Sequence, residues 1–270
     1  MSAGVVGRAS HGPASPAAMR RAMRLLTPAV RHWVAESFGQ LTPPQAAAIP
    51  AIHAGEHVLI SAPTGTGKTL AAFLAVLSEL VGAHEAGTLE PGIQAVYVSP
   101  LRALGADVQR NLERPLAEIV ARTRAPSAAG ASEDVPIRVA ARTGDSTPAE
   151  RRRLIANPPH VLVTTPESLA ILLSTGSMVE HFRSVRWVIV DEVHAIAGGK
   201  RGVHLALSLE RLAAAARTDP VRVGLSTDKD PLRGFLFDAT KPGNLNTGHD
   251  WTSSYTPDQR KDLIEYLKTL

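Results

Sequence analysis

Six short apolar runs, at residues 57–61, 95–99, 137–140, 161–164, 187–190 and 221–225, are each followed by helix-like sequence. Strands that alternate with helices pair in parallel, because each crossover helix carries the chain back to the edge where the previous strand began. Helices then cover both faces of the sheet. The expected fold class is therefore α/β with a parallel sheet. In such sheets ligands bind at the carboxyl ends of the strands, where loops turn into helices. The residues that follow each run are the first place to look for chemistry.

The first run leads into Ala62-Pro-Thr-Gly-Thr-Gly-Lys-Thr69 and then into a helical pattern. A Gly-rich loop between strand and helix lets backbone N–H groups approach phosphate oxygens, and the helix N-terminus favours an anion. Pro63, Thr64, Gly65, Thr66, Gly67, Lys68 and Thr69 are thus candidates to hold ATP phosphates. Lys68 would reach the β and γ oxygens, and the Thr69 hydroxyl would ligate Mg2+. Ala62 stands where the strict pattern has a glycine. A Gly-rich turn that only caps a helix is the plain alternative.

About 120 residues later the fifth run ends in Asp191-Glu-Val-His194. Two adjacent carboxylates at the tip of an apolar strand are costly unless a cation or a reaction uses them. Asp191 suits the Mg2+ shell, and Glu192 suits polarisation of the attacking water in phosphoryl transfer. The residues alone assign His194 no role.

Taken in order, these segments are similar to the first RecA-like domain of a superfamily 2 helicase of the DExH type. Phe38-Gly-Gln-Leu-Thr-Pro-Pro-Gln45 resembles the upstream adenine-recognition motif, which makes Gln45 the adenine reader. Ser99-Pro-Leu-Arg-Ala-Leu104, Thr143-Gly-Asp145 and Thr164-Thr-Pro-Glu-Ser-Leu169 resemble motifs that hold a nucleic-acid strand by its backbone. The resemblance thereby assigns strand contact to Pro100, Arg102, Thr143, Gly144, Asp145, Thr165, Pro166 and Glu167. It also supplies a role for His194, coupling the nucleotide and nucleic-acid sites. The style of residues 62–73, 158–169 and 191–194 is that of the large helicase-related (Lhr) group, ATP-dependent DNA helicases linked to repair. It covers residues 25–226 and implies a RecA-like P-loop NTPase domain with ATP and Mg2+ as cofactors. The implied partner is DNA or RNA, single-stranded and bound without regard to sequence.

Elementary chemistry reads the strand-binding residues in two ways. Arg102 could pair with a phosphate, and Thr143, Thr165 and nearby N–H groups could donate to others. Equally, Thr165 could cap the helix that Pro166 begins, with Glu167 at its positive end, while Arg102 is solvated. The run Arg151-Arg-Arg153 reads as a solvated helix face.

Composition sets the remaining bounds. A net charge of +4 permits a polyanionic partner without requiring one. With no cysteine, thiolate metal sites and covalent c-type haem are excluded within the chain. No apolar run approaches the roughly 20 residues of a membrane span, and Thr27-Pro28 interrupts the apolar stretch after Arg20-Arg21, so no signal peptide is expected. A cytoplasmic location follows as an expectation. Residues 1–24 are expected to be disordered, since Ser2 to Ala18 are rich in Ala, Gly, Ser and Pro.

The composition breaks near Ser226. Residues 1–226 contain two lysines against 21 arginines, whereas residues 227–270 contain four lysines and two arginines. In helicases of this kind the sixth run leads into Ser-Ala-Thr; here it reads Ser226-Thr-Asp228, and the resemblance stops. The expectation is a motor without its second RecA-like domain, followed by an unrelated and possibly chimeric extension, residues 227–270. A capping box at Thr256-Pro-Asp-Gln259 predicts a helix over 257–269. Residues 243–249 with 255–270 resemble the end of di-haem c-type cytochromes of the peroxidase kind, but without Cys-x-x-Cys-His no haem is expected. Three readings stay open: a helicase ATP-binding domain, a nucleotide-binding fragment without turnover, and a P-loop NTPase of another class.

Overall fold

The computed structural model describes residues 15–63, 66–100, 102–123, 137–197 and 200–227, with residues 102–111, 123 and 197 described through their backbone. All of these belong to the unit Val5–Phe235; the other unit, Met1–Gly4 with Leu236–Leu270, lies outside the described residues. So does the helix expected over 257–269.

Six strands form one sheet: β1 (Val58–Ser61), β2 (Ala95–Val98), β3 (Val139–Arg142), β4 (Val161–Thr164), β5 (Trp187–Val190) and β6 (Val221–Ser226). Their order is β1-β6-β5-β2-β4-β3 and every pairing is parallel. The three strands β2, β4 and β5 are buried along their whole length, which is why they read as continuous apolar runs. Successive residues serve opposite faces. Ala95, Tyr97, Val161, Val163, Trp187 and Ile189 join one core, and Val96, Val98, Leu162, Val188 and Val190 join the other.

The first core is covered by α1 (Pro16–Leu25), α2 (Pro28–Phe38), α3 (Pro43–His53), α4 (Lys68–Glu85) and α5 (Arg102–Thr123). The second is covered by α6 (Pro148–Ala156), α7 (Pro166–Ser174), α8 (Gly176–Val179), α9 (Val193–Ala197) and α10 (Lys200–Ala215). Among the described residues no helix is long and apolar enough to cross a membrane.

Two expectations need correction. Disorder through residue 24 fails over α1: the Ser15 hydroxyl accepts from Ala18 N at 3.2 Å, Pro16 opens the helix, and Ala22 is fully buried. Alanine, arginine and methionine favour helix, and a tally of small residues hides that. The third strand runs two residues later than expected, because Arg138 N donates to His160 Nδ1 and pairing starts at Val139↔Val161. Its last residue is the charged Arg142, outside any apolar run.

All six carboxyl ends lie along one edge. The loops after β1, β6 and β5 occupy one half of that edge, and the loops after β2, β4 and β3 occupy the other.

Candidate nucleotide and nucleic-acid site

The nucleotide half begins where β1 ends. Ala62 N donates to Ser226 O at 3.1 Å, which holds the start of the loop against β6. Thr64 and Gly65 lie outside the described residues; Pro63 accepts from the Thr66 hydroxyl at 2.7 Å across them. Gly67 has φ +78, and a Cβ there would lie 2.8 Å from Gln45 Nε2. Both backbone and space therefore require glycine. Lys68 and Thr69 then open α4. The Lys68 ammonium is buried and donates to Ala62 O at 2.6 Å. Burial lowers its pKa, and the charges of Glu192 and Asp191 act in the opposite direction. A desolvated cation held by a carbonyl is ready to exchange that carbonyl for a phosphate oxygen.

Gln45 is buried against this loop. Its Oε1 accepts from Thr42 N at 2.9 Å in a capping box for α3, and the Thr42 hydroxyl donates to Thr66 O at 3.3 Å. Thr42 thus fastens the start of α3 to the phosphate loop.

At the end of β5, Asp191 is buried, and one N–H and one hydroxyl donate to its carboxylate. Its Oδ1 accepts from Glu192 N at 2.9 Å, and its Oδ2 accepts from the hydroxyl of Tyr97, a fully buried residue of β2. Burial, followed by the charge of Asp191, pushes the phenol pKa far up, so it stays protonated. Glu192 has φ 47, the left-handed region, which costs a non-glycine residue roughly 1–2 kcal/mol. Its Oε2 lies 3.2 Å from His194 Nε2 and 3.5 Å from the Thr227 hydroxyl. His194 Nδ1 in turn lies 3.1 Å from the Ser226 hydroxyl. The DExH residues are therefore wired to the end of β6.

The strand half is built differently. Thr165 is buried and caps α7: its hydroxyl accepts from Ser168 N at 3.3 Å and donates to Ser168 Oγ at 3.1 Å. Pro166 and Glu167 form the first turn of α7. Glu167 Oε1 accepts from Arg201 Nε at 2.7 Å, while Arg201 Nη2 donates to Pro100 O at 3.1 Å. Arg201, on α10, thus joins two segments that the sequence left separate. Thr143, Gly144 and Asp145 form a turn after β3 in which Ser146 Oγ accepts from Thr143 N at 3.1 Å. Arg151 donates to Ser146 O at 3.0 Å and Gly144 O at 3.3 Å, so part of the arginine run pins this turn. Thr164 Oγ1 donates to Arg142 O at 2.7 Å, locking the ends of β4 and β3 together. Arg102 begins α5, and its side chain lies outside the described residues.

Tyr97 and Arg201 escaped the motif reading. A phenol within a strand buried at all four positions must find a hydrogen-bond partner, and that signal could have singled out Tyr97. Arg201 carried no comparable signal.

Asp191, whose charge acts on the desolvated Lys68, and Thr69, the next residue after that lysine, fit Mg2+, which takes few protein ligands and completes its shell with phosphates and water. Among the described residues no cluster of three or more His, Cys, Asp or Glu side chains could hold a metal by itself.

A RecA-like parallel sheet with a phosphate loop after its edge strand and paired carboxylates after a central one defines a P-loop NTPase domain of the helicase kind. The chain belongs to the DEAD/DEAH box helicase family, whose model matches residues 42–228. It is 49% identical over 228 residues to the ATP-dependent helicase Lhr-Core protein 2 of Thermococcus barophilus, covering 83% of this chain and 26% of that protein. It is 47% identical over 206 residues to the Lhr helicase/uracil glycosylase of Escherichia coli, covering 75% of this chain and 13% of that one. Among solved structures, Mycobacterium smegmatis helicase Lhr bound to ssDNA and AMP-PNP matches with a TM-score of 0.69 and 46% identity, over 78% of this chain and 26% of that chain. The resemblance to the Lhr group read from residues 25–226 thus holds. The chain spans about a quarter, or less, of the length of these relatives.

Proposed function

We propose that this chain binds ATP with Mg2+ and grips a single strand of DNA or RNA by its backbone, as the ATP-binding domain of an ATP-dependent helicase. The observation that carries this reading is the convergence of Lys68, after β1, with Asp191 and Glu192, after β5, across the end of the intervening β6, with Lys68 desolvated beside both carboxylates. The complex of the Mycobacterium smegmatis relative with ssDNA and AMP-PNP supports it.

In this reading Lys68 leaves Ala62 O for the β and γ phosphate oxygens, and Gln45 meets the adenine. Thr69 and Asp191 hold Mg2+, which neutralises charge on the phosphate oxygens. Glu192 orients and polarises the attacking water from its left-handed backbone position. His194 passes the state of that carboxylate to Ser226 and Thr227 at the end of β6. On the other half, the turn at Thr143–Asp145, the start of α7 and the Pro100 segment present backbone groups to successive phosphates. Contacts of that kind carry little sequence information, so binding is sequence-independent and weakens with salt. The cytoplasm is the proposed place of action.

Binding of a fluorescent ATP analogue, and ATP hydrolysis with and without single-stranded DNA, test this. Lys68→Ala should weaken nucleotide binding roughly 100-fold, and Glu192→Gln should bind nucleotide without hydrolysing it. Nucleotide binding indifferent to Lys68→Ala overturns the reading. Binding without turnover in the parent chain would assign catalysis to groups beyond those described. Hydrolysis indifferent to DNA would favour a P-loop NTPase of another class.

A further inference from the structure

Tyr97 lies at the centre of the sheet, one strand away from β5, in register with Ile189. Its ring packs on Phe73 of α4, with centroids 5.3 Å apart and planes tilted by 32°. The ring is fully buried, so packing on the helix that carries Thr69 fixes where the hydroxyl sits. That hydroxyl meets Asp191 Oδ2. A phenol has one proton to give, and a carboxylate can only accept, so the proton goes to Asp191.

This sets the orientation of the carboxylate. Asp191 has one oxygen occupied by Tyr97 and the other by Glu192 N. Its rotation is thereby stopped.

We propose that Tyr97 is a positioning residue for the magnesium site: it orients the Asp191 carboxylate before nucleotide arrives. The proposal rests on the ATP–Mg2+ reading above. It places the control of metal affinity on a strand that carries no residue of the phosphate loop or the DExH motif.

The test is a Mg2+ titration of fluorescent ATP-analogue binding by the full 270-residue chain and its Tyr97→Phe variant, which keeps the ring on Phe73. The Mg2+ concentration for half-maximal binding should rise roughly tenfold in the variant, about the worth of one hydrogen bond to a charged group. Nucleotide affinity in EDTA should be equal in the two. A purely structural role would weaken binding in EDTA and in Mg2+ alike, and would overturn the proposal, as would an unchanged Mg2+ requirement. A parent chain that binds no nucleotide would sink the underlying reading as well. A second measurement leaves Tyr97 intact: the chain has three tyrosines, so Tyr255→Phe/Tyr266→Phe protein carrying 3-fluorotyrosine gives a single fluorine signal. That signal should shift when Mg2+ is added to the nucleotide-saturated chain and stay in place when nucleotide is added in EDTA. No Mg2+-dependent shift would overturn the proposal even if Tyr97→Phe failed to fold.

Discussion

The two halves of the carboxyl edge are assembled by different means. Around Lys68 and Asp191, groups from separate strands interlock: Tyr97 of β2 donates to Asp191 just after β5, and Ala62 just after β1 donates to Ser226 O of β6 and accepts from Lys68. Around Thr143 and Thr165, by contrast, each segment is closed locally by a cap or turn, and arginines on neighbouring helices hold its carbonyls. On the proposed function the nucleotide half takes a compact, highly charged ligand, which rewards desolvated charge. The strand half offers backbone and helix starts at intervals, which the proposed contact with a phosphate backbone would use.

The largest expected effect separates the halves outright. Lys68→Ala should lower ATP affinity roughly 100-fold and leave nucleotide-free binding of single-stranded DNA unchanged; a parallel fall in both would show that the halves are one site.

A pH change should loosen the strand half first. Burial, aided by the charges of Arg138 and His84, lowers the pKa of His160 to about 4 from 6.5. The fold keeps this imidazole neutral, whereas the unfolded chain protonates it below 6.5. Its contribution is therefore complete above that value and is lost as pH falls toward 4, a cost on the order of 2–3 kcal/mol. His160 sits at the foot of β4 and accepts from Arg138 N. Hydrogen exchange at pH 4.5 should accelerate in β3 and β4 before β1 and β6, and His160→Asn, which keeps an acceptor, should flatten that dependence. Uniform acceleration across the sheet would contradict it.

Smaller again, Gly67→Ala should destabilise the chain by about 1–2 kcal/mol, through both its φ of +78 and the clash with Gln45. Thermal melting reads this, and the accompanying loss of ATP affinity should leave DNA binding alone. The smallest effect belongs to Arg201→Ala. Its ion pair with Glu167 is half-exposed and so worth little. Single-stranded DNA should bind about threefold more weakly with an unchanged salt slope, because Arg201 holds Pro100 and Glu167 rather than a phosphate. A slope reduced by about one would reassign Arg201 to direct phosphate contact.

Much of this was legible residue by residue. Five of the six strands stand within one residue of the apolar runs, since a buried parallel strand must be apolar on both faces. Lys68, Asp191 and Glu192 could be read because local spacing places them directly after strands. Arg142 was missed as a strand residue, because its place is set by pairing with Thr164 and not by its own polarity. Thr165 remained ambiguous between cap and phosphate contact because the same hydroxyl serves either end, and the structure shows the cap.

The sequence by itself determined the parallel sheet, the phosphate loop and the order of the motifs, all of which depend on periodicity and on neighbours a few residues apart. Only the tertiary structure decided that β6 lies between β1 and β5, that Gln45 backs onto Gly67, and that Tyr97, 94 positions from Asp191, donates to it. Those contacts arise from strand order and helix packing, and no local pattern along the chain encodes which distant residue will stand beside which.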